Sequence, residues 1–136
     1  MIRNIPLYKG TDAPFQIKLW QDEAKTIPIT LYTYTDSSSI VHEGVLDLIV
    51  YIYTDKQTIL KYSLNNKGGY NRLIRVSNFE CKGWIEGKDN VLLTPGRITL
   101  EVQYATLSTE ISTNRYKRAG IGTIYILVDD EIKAEV

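Results

Sequence analysis

Eight consecutive residues late in the chain admit one kind of backbone. Ile98, Leu100, Val102 and Tyr104 alternate with Arg97, Thr99, Glu101 and Gln103. Successive side chains of a strand point to opposite faces, so this spacing gives one dry and one wet face and excludes a helix. Phe15, Ile17 and Leu19 repeat the pattern against Gln16, Lys18 and Trp20. Val45 to Thr54 is apolar on both parities, which predicts a central strand covered on both sides. No segment keeps a helical period for long; a helix over Ser108–Arg118 has weak support.

Between these runs stand turn signals. Lys9-Gly10-Thr11-Asp12, Asp36-Ser37-Ser38-Ser39, Asn65-Asn66-Lys67-Gly68-Gly69 and Gly87-Lys88-Asp89-Asn90 supply residues that tolerate tight or left-handed backbone. Further strands are expected at Arg3–Tyr8, an edge strand because Pro6 lacks a ladder donor, and at Ile27–Tyr34, Thr58–Leu64, Leu73–Val76, Cys81–Ile85 and Thr123–Val128. Short strands joined by turns read as an all-β antiparallel sandwich or barrel, with an immunoglobulin-like antiparallel sandwich as the expected form. The expected layout is one domain over 1–136, with an N-terminal edge segment 1–8 and a long polar connection at 108–120.

Composition narrows the function. The chain has 136 residues, enough for one domain with a proper core. Lys+Arg and Asp+Glu each total 16, so no general attraction for nucleic acid or an anionic membrane is expected. The single cysteine, Cys81, forbids an intrachain disulfide. Met1–Pro6 lacks the apolar core of a leader, and no apolar run reaches membrane-spanning length. Ten tyrosines against two phenylalanines suit strands with one dry face and suit interfaces equally.

Little in the sequence points to catalysis. The sole histidine, His42, follows three serines, and a Ser–His–Asp set with Asp36 or Asp47 can be drawn, but no G-x-S-x-G elbow accompanies it. A solvated loop histidine is the plainer reading. One Cys and one His do not make a zinc site. Asp129-Asp130-Glu131 would point to alternating faces rather than converge on a cation. Gly68-Gly69 and Gly120-Ile121-Gly122 lack the residues and context of a phosphate loop. No catalytic, metal or cofactor residue is assigned. Arg115, Lys117 and Arg118 with Tyr116 could contact nucleic acid, but the neutrality of the whole chain favours a solvated loop; a charged interface rim is the third reading. Trp20 and Trp84 are core or edge packing, interface anchors, or a sugar-stacking pair.

Four segments together resemble a known family. They are Leu7-Tyr8-Lys9-Gly10-Thr11-Asp12-Ala13-Pro14-Phe15-Gln16-Ile17-Lys18-Leu19, Ile27-Pro28-Ile29-Thr30-Leu31, the apolar run Leu46–Tyr53, and Leu92-Leu93-Thr94-Pro95-Gly96-Arg97-Ile98-Thr99-Leu100-Glu101-Val102. Their order resembles the immunoglobulin-like N-terminal domain of phage baseplate upper proteins. Thr11-Asp12 stands where that family prefers Asp-Thr, and Ile98 stands near its usual aromatic. The Tyr/Ile/Asn-rich style is similar to virion proteins of Bacteroides-type (crAss-like) phages. The resemblance implies a structural virion protein assembled in the host cytoplasm: an adaptor or ring component of the tail, collar or baseplate. Its partners would be copies of itself, in a homo-oligomeric ring, and other virion proteins, without nucleic acid, membrane or cofactor. The interface candidates are Arg3, Ile5, Leu7, Tyr8, Trp20, Trp84, Arg115, Tyr116, Lys117 and Arg118. The alternatives are a carbohydrate-binding or surface-recognition module presenting Trp20 or Trp84, and a small enzyme built on His42.

Overall fold

The alternating runs become strands, and two layers of them enclose one core. The computed structural model describes residues 5–65, 67–106 and 117–129. The strands are β1 (Ile5–Tyr8), β2 (Ala13–Lys18), β3 (Tyr34–Thr35), β4 (Val41–His42), β5 (Asp47–Tyr53), β6 (Leu60–Ser63), β7 (Asn71–Arg72), β8 (Ile74–Ser77), β9 (Glu80–Ile85), β10 (Gly96–Ala105) and β11 (Lys117–Val128). One helical turn, α1 (Gly87–Asn90), separates β9 from β10. A six-stranded layer runs β1-β11-β10-β5-β6-β7, and a three-stranded layer runs β2-β9-β8. β3 and β4 form a small hairpin of their own. The chain is an all-β sandwich.

The core lies where the dry parities of the two layers meet. Phe15 and Ile17 of β2 and Cys81 and Ile85 of β9 face Leu48, Val50 and Ile52 of β5 and Ile98, Leu100 and Val102 of β10. Phe15 meets Tyr62 edge to face at 5.1 Å between ring centroids, a geometry favoured by the ring quadrupoles. Two tyrosines tie the layers with polar tips. Tyr62 donates to the Trp84 carbonyl at 2.9 Å, and Tyr125 donates to the Pro14 carbonyl at 2.6 Å. Each hydroxyl thereby finds a partner where an unpaired one would be costly. β5 is flanked by β10 and β6 and buried on both faces, as its composition predicts.

The turn Lys9–Asp12 is locked onto α1. The fully buried Asn90 accepts from the Gly10 N–H and donates to the Thr11 carbonyl, both at 2.8 Å. Asp12 accepts from the Gly87 N–H at 2.6 Å. Gly10 has φ +88, and a Cβ on Gly87 would run into the backbone of Gly10. Glycine at these two positions, with Asp12 and Asn90, lets two backbone turns touch.

Several expectations are corrected. The sandwich is not wholly antiparallel: β1 pairs parallel with β11, and β6 parallel with β7. β1 is an edge strand as Pro6 requires, but it belongs to its own chain's sheet, and Leu7 is core at 4% exposure rather than an interface residue. The reason is that β1 lies over the sandwich with Leu7 on the dry parity between Pro6 and Tyr8. Ile27–Tyr34 is not a strand. It makes one isolated bridge, Trp20 with Pro28, before β3 begins at Tyr34, since Pro28 cannot extend a ladder. The turn at 87–90 is helical. The polar connection is shorter than 108–120, because Lys117–Gly120 already belong to β11; a helix reaching Arg118 is excluded for the same reason. The remainder, 108–116, lies outside the described residues, as do Arg3, Arg115 and Tyr116.

Candidate assembly surface

Which side chains the sandwich leaves outside follows from register. In the three-stranded layer, Phe15, Ile17, Cys81 and Ile85 point inward, so Pro14, Gln16, Lys82 and Trp84 point out. Trp84 is registered with Pro14, and Lys82 with Gln16 on one side and Ile74 on the other. Trp84 is 43% exposed and Ile74 46%. The two lie diagonally across adjacent strands, within reach of each other's side chains. An aromatic and an aliphatic, set among Gln16, Lys82 and the stiff ring of Pro14, have the make-up of an interface centre with a polar rim.

β8 closes this layer with a free edge. All four of its residues are exposed, Val76 at 45%. Neither lysine nor proline guards it, and its one protective device is a register shift between Arg75 and Ser77. Arg75 turns away, its guanidinium 4.8 Å from the Tyr32 ring centroid and hydrogen-bonded to Asn78. Burial and the nearby Cys81 push the Tyr32 hydroxyl up to about 12, with Arg75 and Arg72 opposing. It therefore stays neutral under the guanidinium.

The sequence-derived candidates do not gather in one place. Ile5 and Tyr8 are exposed on the β1 edge. Trp84 stands on the opposite layer. Trp20 is half-buried, with the Lys18 ammonium 4.7 Å over its ring. Arg118 leaves the wet face of β11 to pair with Glu101 at 3.6 Å; Gln103 donates to the same carboxylate at 2.9 Å. Lys117 is placed by its backbone alone, opposite Tyr104. Ile74 and Val76 were not singled out by sequence. Their one signal was that Leu73–Val76 reads as a short strand with apolar residues on both parities.

The histidine has a partner. His42 Nε2 lies 2.7 Å from Asp36 Oδ2, and its ring stacks on Tyr34 at 4.7 Å. The other Asp36 oxygen accepts from the N–H groups of Ser38 and Ile40, at 2.8 and 3.0 Å. The His42 bond, then that of Ile40, holds the Asp36 carboxyl below its ordinary value. These contacts brace the β3–β4 hairpin, where Ser39 takes a left-handed φ of 64. Asp47 is engaged elsewhere, accepting from Ser63 Oγ at 3.0 Å. Among the described residues no group of three His, Cys, Asp or Glu side chains is placed to hold a metal ion. Cys81 is fully buried, and desolvation pushes its thiol up to about 12, which makes it a packing group. No helix among the described residues is long and apolar enough to cross a membrane.

Sheet, core and register define the class of protein as an all-β sandwich. No family model, curated protein or solved structure matches the chain.

Proposed function

We propose that the protein is a structural assembly component, acting by protein–protein contact in a bacteriophage tail, collar or baseplate. The observation that carries the assembly part is the exposed β8 edge, interrupted by one register shift, beside an outward Trp84 and Ile74. An unpaired, apolar strand edge is a hazard to a free protein and an asset to one that docks. Zero net charge agrees with this, since copies meet without mutual repulsion. The virion setting rests on the resemblance of the Leu7–Leu19, Ile27–Leu31, Leu46–Tyr53 and Leu92–Val102 segments to the baseplate upper family, whose immunoglobulin-like domain is a sandwich of this general kind.

The test is to measure the mass of the purified chain in solution across a wide concentration range and to image it by electron microscopy. Concentration-dependent oligomers, weakened by Trp84→Ser or Ile74→Lys, are expected. A chain that stays monomeric throughout, alone and with particle fractions of its host, overturns the reading.

A further inference from the structure

Among the described residues the seam between β2 and β11 is open, and we infer that it receives residues 131–136 of a second copy as an added strand. This rests on the assembly reading and names one contact within it.

Three observations build the seam. First, β2 is an edge strand, and Pro14 turns its carbonyl away from β9 toward Tyr125. Backbone direction alternates along a strand, so the N–H and C=O groups of Gln16 and Lys18 face that same free side. No backbone partner for them occurs among the described residues. Second, β1 covers the edge of β11 only along Tyr125–Val128. Below it, the edge of β11 has no strand partner among the described residues. Third, the inner face of β11 is bare just there. Gly122 is registered with Leu100 and Gly120 with Val102, both of which point into the core. Side chains at 120 and 122 would therefore point between the layers.

These two glycines are explained by neither conformation nor crowding. Neither has a positive φ, and a Cβ on either meets nothing within 4 Å among the described residues. What they leave is a cavity of about 390 Å³ between Ile17, Leu19, Leu100 and Val102, flanked by Lys18 and Lys25.

The occupant needs small apolar side chains every second residue, a backbone free to pair and acidic groups on the other parity. Glu131-Ile132-Lys133-Ala134-Glu135-Val136 has that pattern: Ile132, Ala134 and Val136 on one side, Glu131 and Glu135 on the other with Lys133. A strand added along Gln16 and Lys18 would bury the first set over Gly120 and Gly122 and set glutamates beside Lys18 and Lys25. It would do so in trans. Folded straight back from Val128, the segment comes level with about residues 123–128. There Tyr125 and Leu127 already fill the interlayer space and β1 holds the edge. One copy donating and another accepting is a head-to-tail contact, which closes into rings or runs on as filaments.

Two variants separate donor from acceptor. A chain ending at Asp129 keeps the seam and lacks the strand. Gly120→Val with Gly122→Val fills the seam and keeps the strand. Sedimentation velocity should show association of the full chain, and each variant alone should associate about tenfold or more weakly, at unchanged circular dichroism. Mixed, the two variants should form a one-to-one dimer that does not grow. Should the valine variant fold poorly, a peptide of residues 129–136 should bind the truncated chain, while a scrambled peptide should not. The proposal is overturned if the truncated chain associates like the full one, if the mixture stays monomeric where both variants fold, or if neither peptide binds. Oligomers that survive truncation but are lost with Trp84→Ser would leave the assembly reading standing without this seam. A full chain that never associates removes both.

Discussion

Two seams of the same sandwich treat glycine in opposite ways. Along the β2–β9 pair and at α1 beyond it, Gly83 lies against the Phe15 ring and Gly87 against the Gly10 backbone, so a Cβ at either would collide. Where β2 faces β11, Gly120 and Gly122 meet no neighbour among the described residues. The first seam uses glycine to bring backbone and ring closer than any side chain permits. The second uses it to leave space between the layers that no described residue fills. A residue type that costs backbone entropy in both places is repaid by close packing only in the first. The second seam is the one to which we assign an incoming strand.

Substitution should break this contrast, most strongly at the tight seam. Gly87→Ala places a methyl on backbone that cannot yield, and should cost about 3 kcal/mol in chemical denaturation. Asn90→Ala strands the Gly10 N–H and the Thr11 carbonyl, and should cost about 2 kcal/mol by the same assay. Gly83→Ala is softer, since the Phe15 ring can tilt; about 1–2 kcal/mol is expected as a drop in melting temperature. Gly122→Ala should go the other way, gaining up to about 1 kcal/mol from a less flexible unfolded chain. A loss there comparable to that of Gly83→Ala would erase the distinction between the seams.

The smallest effect lies outside both, in the β3–β4 hairpin. Because the folded Asp36 carboxyl sits below the ordinary value of 3.8, its support is complete above that value and is lost as pH falls through the lower folded value. A carboxyl titration followed by NMR should show Asp36 moving back toward 3.8 in His42→Ala, since the His42 bond is the largest cause of its shift.

How far sequence reaches is visible in β10 and β11. β10 announced itself because Ile98, Leu100 and Val102 needed one dry face, and hydrophobic parity is local information. β11 was read only from Thr123 onward, because Gly120 and Gly122 carry no side chain to mark the dry parity, and a strand with blank inner positions looks like a loop. Ile27–Tyr34 erred in the other direction: Ile27, Ile29 and Leu31 alternate, yet Pro28 and packing against Asn78 take that stretch out of any sheet. α1 looked like a simple turn, since its reason for coiling is a partner far away, the loop at Gly10–Asp12. Trp84 was weighed as a contact residue and is exposed. Its neighbours on β8 were not, because edge position depends on topology that no window of residues contains.

The parallel pairing of β1 with β11 has a consequence in time. Ile5 is registered with Tyr125, so an early-made strand finds its ladder only when a late one leaves the ribosome. Contacts so distant along the chain are slow to form. Through most of synthesis the six-stranded layer lacks one border, and Leu7 has no core to enter. A newborn chain thus keeps β1 unpaired until β11 has been made.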